Sequence, residues 1–81
     1  MAGTKQTSTG PGEDPRRAVA RRLRELRTSR GLSQEALADA AGMDRTYVSG
    51  LERGLRNATV LSIWKLALAL GVEPGELLRV K

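Results

Sequence analysis

The sequence predicts an all-helical domain of five short helices, and three observations carry that prediction. Apolar residues recur at helical spacing from residue 18 onward, and each recurrence is bracketed by a capping residue and a glycine or proline break. Nothing alternates with period two over a useful length, so no strand is expected. At 81 residues the chain makes one domain at most, and a domain of that size buries only about 60% of the surface its unfolded form exposes.

Residues 1–13 are rich in Thr, Gly, Ser and Pro, with only Met1 and Ala2 apolar, and burial there cannot offset the entropy of ordering. They are expected to be a disordered tail ahead of a domain spanning residues 14–81. Asp14 and Pro15 fit an N-cap and first helical position, and Ala18 or Val19, Leu23 and Leu26 mark one face through to Arg30, where Gly31 ends the helix. Ser33 caps a short second helix carried by Ala36, Leu37, Ala40 and Ala41, which Gly42 terminates in the left-handed conformation that it tolerates. Asp44 caps a third helix running to about Arg53. After the loop GLRNA, Thr59 caps a fourth from Val60 to about Leu70, closed by Gly71, and Pro74 opens a short fifth.

Composition removes whole classes of function. Without Cys or His the chain has no disulfide, no zinc cluster, no thiol nucleophile and no imidazole base, so neither catalysis nor a cofactor or metal is expected. No apolar run reaches the ~18 residues that a membrane helix needs. The start, MAGTKQTSTGPGED, lacks the apolar stretch of a signal peptide, and the cytoplasm is the expected location. The basic helix lacks the bulky aromatics that a membrane-surface role would want.

The formal charge is +5, and its distribution says more than its total. Residues 1–14 net −1, residues 15–30 net +6 from seven Arg against Glu25, and the remainder balances at zero. A charge excess confined to one segment suits a surface that meets phosphate, although a solvated arginine-rich helix face would look the same. Arg16, Arg17, Arg21 and Arg24 would either contact flanking phosphates or strengthen the local field.

The stretch QEALADAAGMDRTYVSGLER has the pattern that two helices joined by a tight turn require. Ala38 is small where the helices cross, Gly42 supplies the turn, Met43 fills it, and Leu37, Val48 and Leu51 point inward. On a helical wheel Val48, Leu51 and Asp44 share one side of the third helix, while Arg45, Thr46, Ser49, Gly50 and Arg53 form the opposite arc. That arc is polar, small and cationic. It fits a DNA major groove, where Arg donates two hydrogen bonds to guanine and Thr meets the thymine methyl or an acceptor.

From about Val19 to Leu78, roughly three quarters of the chain, these features resemble the phage-repressor/Cro-type, or xenobiotic-response-element, helix-turn-helix regulators. The run DRTYVSGLERGLRN is most similar to restriction–modification controller proteins. The resemblance implies a lambda-repressor-like five-helix domain, usually dimeric, bound to double-stranded DNA at a palindromic operator. It further implies that Gln34, beside the cap Ser33, anchors phosphate and base at the start of the second helix. Arg45, Thr46 and Ser49 match base-reading positions. Tyr47 either contacts sugar and phosphate at the groove edge or covers the core. Arg53, Arg56 and Asn57 match a loop that runs along the DNA backbone, and so would position rather than specify. Arg27 and Glu52 match an internal ion pair that holds the third helix at its angle. Gly50 is a departure, because phage repressors often carry a longer base-reading side chain there, and shape readout would then stand in for one contact.

The fourth helix, VLSIWKLALAL, is apolar around most of its circumference, with only Ser62, Lys65 and Ala69 polar or neutral. One small core cannot use all of that. Val60, Trp64 and Ala67 are expected to face the first three helices, while Ile63, Leu66, Leu70, Leu77 and Leu78 include the candidates for a homodimer interface. The functional expectation is a DNA-binding transcription regulator. The alternative is an antitoxin or adaptor whose helical domain chiefly holds a protein partner.

Overall fold

The computed structural model describes residues 13–79, in which four α-helices are followed by one 3₁₀ helix: α1 Pro15–Ser29, α2 Gln34–Ala41, α3 Arg45–Glu52, α4 Val60–Leu70 and the 3₁₀ turn Pro74–Leu78. Among the described residues there is no strand. The expected disordered tail, apart from Glu13, lies outside them. The fifth element is a 3₁₀ turn instead of an α-helix for two local reasons: it spans only five residues, and Glu73 at its start gives no side-chain cap.

Each α-helix begins at its expected cap. The Asp14 carboxylate accepts from the Arg16 N–H at 2.9 Å, and the Ser33 hydroxyl oxygen from the Ala36 N–H at 2.9 Å. Thr59 and Ser62 form a reciprocal capping box, each side-chain oxygen accepting from the other's backbone N–H at 3.0 and 2.9 Å. The turn between α2 and α3 depends on Gly42, whose φ of 69° lets the Met43 N–H double back to the Ala38 carbonyl at 2.8 Å. A side chain at 42 would strain that left-handed backbone.

The core is one cluster to which every element contributes: Leu23 and Leu26 of α1, Leu37, Ala38 and Ala41 of α2, Val48 and Leu51 of α3, Ile63, Leu66, Ala67 and Leu70 of α4, and Leu77 of the 3₁₀ turn. Within α2 the buried face is Leu37, Ala38 and Ala41, while Ala36 and Ala40, expected to mark the apolar side, are exposed. Leu37 carries the larger apolar area and sets the rotation of the helix.

The main correction concerns α4. Ile63, Leu66, Leu70 and Leu77, expected to include candidates for a dimer patch, are buried inside this one chain, with Leu66 and Leu77 at 0% exposure. Of that set only Leu78 faces outward. Val60 and Trp64, expected inside, are 79% and 54% exposed, alongside Leu61 and Leu68. In a helix apolar on nearly every side, periodicity alone gives no rotational phase. The phase is set by the i, i+3, i+4, i+7 series Ile63, Leu66, Ala67 and Leu70, which meets α2 and the 3₁₀ turn.

Two further arginines, Arg22 within α1 and Arg30 just after it, tie neighbouring elements together. Arg22 donates from Nε to the Glu76 carbonyl at 2.9 Å and from Nη2 to the Glu76 carboxylate at 2.6 Å, fastening the 3₁₀ turn to α1. Arg30, just past the end of α1, donates from Nε to the Leu70 carbonyl at 2.7 Å, placing a cation at the negative end of α4.

Candidate nucleic-acid interface

The third helix is tied to both neighbouring helices through one carboxylate. Glu52, at its C-terminal end, receives Arg27 Nε at 2.6 Å and Nη2 at 3.0 Å from α1, and the Gln34 amide Nε2 at 2.9 Å from α2. Arg27 donates again from Nη1 to the Leu32 carbonyl at 2.7 Å. With the two charged side chains only 12% and 4% exposed, this is a water-poor pair whose remaining polar atoms are also satisfied. The Glu52 hydrogen bond raises the already high pKa of Arg27 further, so the charge is permanent. Gln34, which the resemblance implies to be a DNA anchor, therefore has its amide N–H turned inward to Glu52.

At the other end of α3, Asp44 receives both the Thr46 N–H at 2.9 Å and the Thr46 hydroxyl at 2.8 Å on the same oxygen. Those bonds, led by the backbone N–H, lower the Asp44 pKa below the ordinary carboxylate value. Thr46 has spent its proton on the cap. Its exposed side chain therefore has no hydroxyl proton left to donate, and can meet a thymine methyl or accept a hydrogen bond.

Between these two fixed ends, Arg45, Thr46 and Arg53 are exposed and Ser49 is half-buried, all around an open recess of ≈ 360 Å³ that Arg56 and Gly50 also line. The arc expected on the outside of the third helix is assembled on one face, except for Gly50. That glycine is buried, covered by the Arg56 side chain. Arg56 carries its guanidinium on over the Tyr47 ring, 5.8 Å from the centroid. Tyr47 is itself half-buried and packs against the core, with its hydroxyl 3.2 Å from Ser62 Oγ. Its hydroxyl also reaches the Asn57 carbonyl at 3.5 Å, so ring and hydroxyl both have partners within the chain. Asn57 is exposed in the loop that follows.

Two features of this face were not anticipated. The seat of Arg56 on Gly50 is one; its only trace in the sequence is a glycine inside a helix, where that residue is costly. Ser62 is the other, a buried hydroxyl that links Tyr47 to the α4 cap, and its trace is the Thr59-to-Ser62 spacing. A second cationic area adjoins the first. Arg17, Arg24 and Arg21, the last paired with Glu13, are exposed around an open cleft of ≈ 490 Å³ that Arg53 lines from the end of α3 together with Glu25 and Glu52. Arg16, expected to share in this surface, is paired with Asp14, which holds that carboxyl at a pKa of about 2.

The helix-turn-helix family model HTH_3 matches residues 23–77. The control protein C.BamHI of Bacillus amyloliquefaciens is 45% identical over 58 residues, 70% of this chain and 72% of its own length. The crystal structure of the restriction-modification controller protein C.AhdI from Aeromonas hydrophila superposes with a TM-score of 0.75 at 56% identity, covering 76% of this chain and 94% of that one. The biofilm master regulator SinR, solved in complex with DNA, gives 0.72 at 31% identity over 75% of this chain and 98% of its own.

Proposed function

The chain belongs to the helix-turn-helix family HTH_3, whose members are transcription regulators and not enzymes, and on that premise we propose that it is a homodimeric regulator that reads a palindromic operator by laying α3 in the major groove. The observation that carries this reading is the face of α3. Arg45, Thr46 and Ser49 line an open recess that no other of the described residues fills. Arg45 supplies two donors for guanine, and Thr46 supplies a methyl and an acceptor. Ser33, Arg53, Arg56 and Asn57 flank the face where phosphates would run, and the N–H groups at the start of α2 add partial positive charge. That SinR is solved with DNA and that C.AhdI and C.BamHI are controllers supports the same use of this fold.

The dimer follows from α4. Val60, Leu61, Trp64 and Leu68 form one outward stripe, and the exposed Leu78 extends the apolar surface of this single chain. A second copy placed there would bury that surface and set two recognition helices about 34 Å apart, one turn of duplex. The same stripe would serve a protein partner in the adaptor reading, but that reading leaves the cationic face of α3 without a purpose.

The test is selection of bound fragments from random duplex DNA, with Arg45→Ala as control. An enriched palindrome that the variant fails to enrich is the expected result. No enrichment, together with co-purification of a stoichiometric protein partner that Arg45→Ala releases, would replace the regulator with the adaptor.

A further inference from the structure

Gly50 lies inside α3, where glycine costs more backbone entropy than any other residue, and its φ is not positive, so no turn explains it. Space does. A Cβ built at position 50 would stand 2.8 Å from Arg56 Cγ, closer than a real Cβ tolerates, with Nε at 3.4 Å. The clash is with Cγ, near the backbone end of the side chain, so a methyl group there would force Arg56 to turn about χ1 and leave its place over the helix. The backbone brings Arg56 to this spot: Gly54 adopts a φ of 73°, and the Leu55 N–H returns to the Gly50 carbonyl at 3.0 Å, folding the loop back over the helix. From position 50 the arginine runs on to the face of Tyr47, whose ring the Ser62 hydroxyl holds by its phenolic end.

We propose that Gly50 is a positioning residue of the DNA-reading face, its missing side chain making the seat on which Arg56 crosses α3 to Tyr47 and offers its guanidinium beside Arg45 and Thr46. The arginine occupies the track that a long side chain at 50 would take, one helical turn from Thr46. Its stem is fixed by the glycine and its head by the aromatic ring, so less rotamer entropy is lost when DNA arrives. This rests on the reading that the face meets DNA.

The experiment is a double-mutant cycle on the duplex selected by the parent chain, using Gly50→Ala, Arg56→Ala and the pair, with NMR of each free protein. The Arg56 guanidinium protons, which face the single tyrosine ring, should resonate upfield in the parent, and that shift should vanish in Gly50→Ala while the far-UV circular dichroism stays helical. Binding should weaken by roughly tenfold in Gly50→Ala, a loss of about 1.4 kcal/mol, and change less than about twofold when Ala is introduced at 50 in the Arg56→Ala background, a coupling of at least about 1 kcal/mol. An upfield shift that survives in Gly50→Ala overturns the seat. Binding that weakens equally in both backgrounds, or in neither, overturns its role in positioning. If the parent selects no sequence, the proposal falls with the DNA reading, and the ring shift reports separately on whether the seat exists.

Discussion

Arg27 of α1 and Glu52 of α3 meet side by side, Nε to Oε2 at 2.6 Å and Nη2 to Oε1 at 3.0 Å, and the same carboxylate takes the Gln34 amide from α2. One acidic group thus ties together the two helices of the helix-turn-helix and the helix behind them. Glu52→Ala leaves Arg27 charged in a site where it is only 12% exposed, and should cost about 3–5 kcal/mol of a domain stability of about 5–15 kcal/mol. Both the melting temperature and DNA affinity should drop, since α3 is then no longer fastened at its angle. Calorimetry with parallel binding titrations checks this, and unchanged melting would mean the pair is energetically idle.

Arg45→Ala should act on sequence preference and leave stability alone, because the side chain is exposed at the start of α3. Loss of a two-bond pairing with guanine should remove about 1–3 kcal/mol of discrimination at one base pair of each half-site. Arg17→Ala or Arg24→Ala, in the adjoining cleft, should instead weaken all sequences alike and make the salt slope shallower by about 0.9 for each phosphate that is no longer neutralised. Competition titrations across single-base operator variants at several salt concentrations separate the two behaviours.

The helices were legible in the sequence because their ends are chemical: Asp14, Ser33, Asp44 and Thr59 are residues whose side chains can accept from the first turn, and each one does. The inward side of α3 was legible too, since Val48 and Leu51 are its only aliphatic residues and leave one choice of face. The face of α4 was not. Its two apolar stripes compete on equal hydrophobic terms, and only the shape of the space between α2 and the 3₁₀ turn decides that Leu66 goes in and Trp64 stays out. The placement of Arg56 was hidden for another reason. It depends on a left-handed Gly54 and an empty position at Gly50, a relation between three residues that no periodicity reports.

The rotation of α4 makes the dimer separable from the core. Leu66→Ala empties a fully buried site and should cost about 2–5 kcal/mol, unfolding the domain before it affects association in any specific way. Leu68→Glu, at a position 74% exposed, should keep the helical content and melting of the isolated subunit while abolishing the dimer. Sedimentation velocity with far-UV circular dichroism distinguishes them. A parent chain that stays monomeric at high concentration, free and DNA-bound, would remove the dimer altogether.

Acid should loosen the recognition helix from its first turn. The Thr46 N–H and hydroxyl hold the Asp44 carboxyl below its ordinary pKa of 3.8 in the folded chain, so the charged form is the one that folding favours. A depressed carboxyl contributes its stability above the unfolded value and loses it as pH falls through the folded one, since the unfolded chain then binds the proton first. Asp44→Asn keeps an oxygen that can cap the helix but cannot titrate. The advantage in melting temperature of the parent over Asp44→Asn should therefore shrink as pH is lowered from about 5 to about 2. Asp14 and Glu76, also depressed by their arginine partners, lose their ion pairs in acid in both proteins alike, so the difference between the two chains is the informative quantity. A gap that is flat with pH would show that the cap works as a dipole alone, with no contribution from its charge.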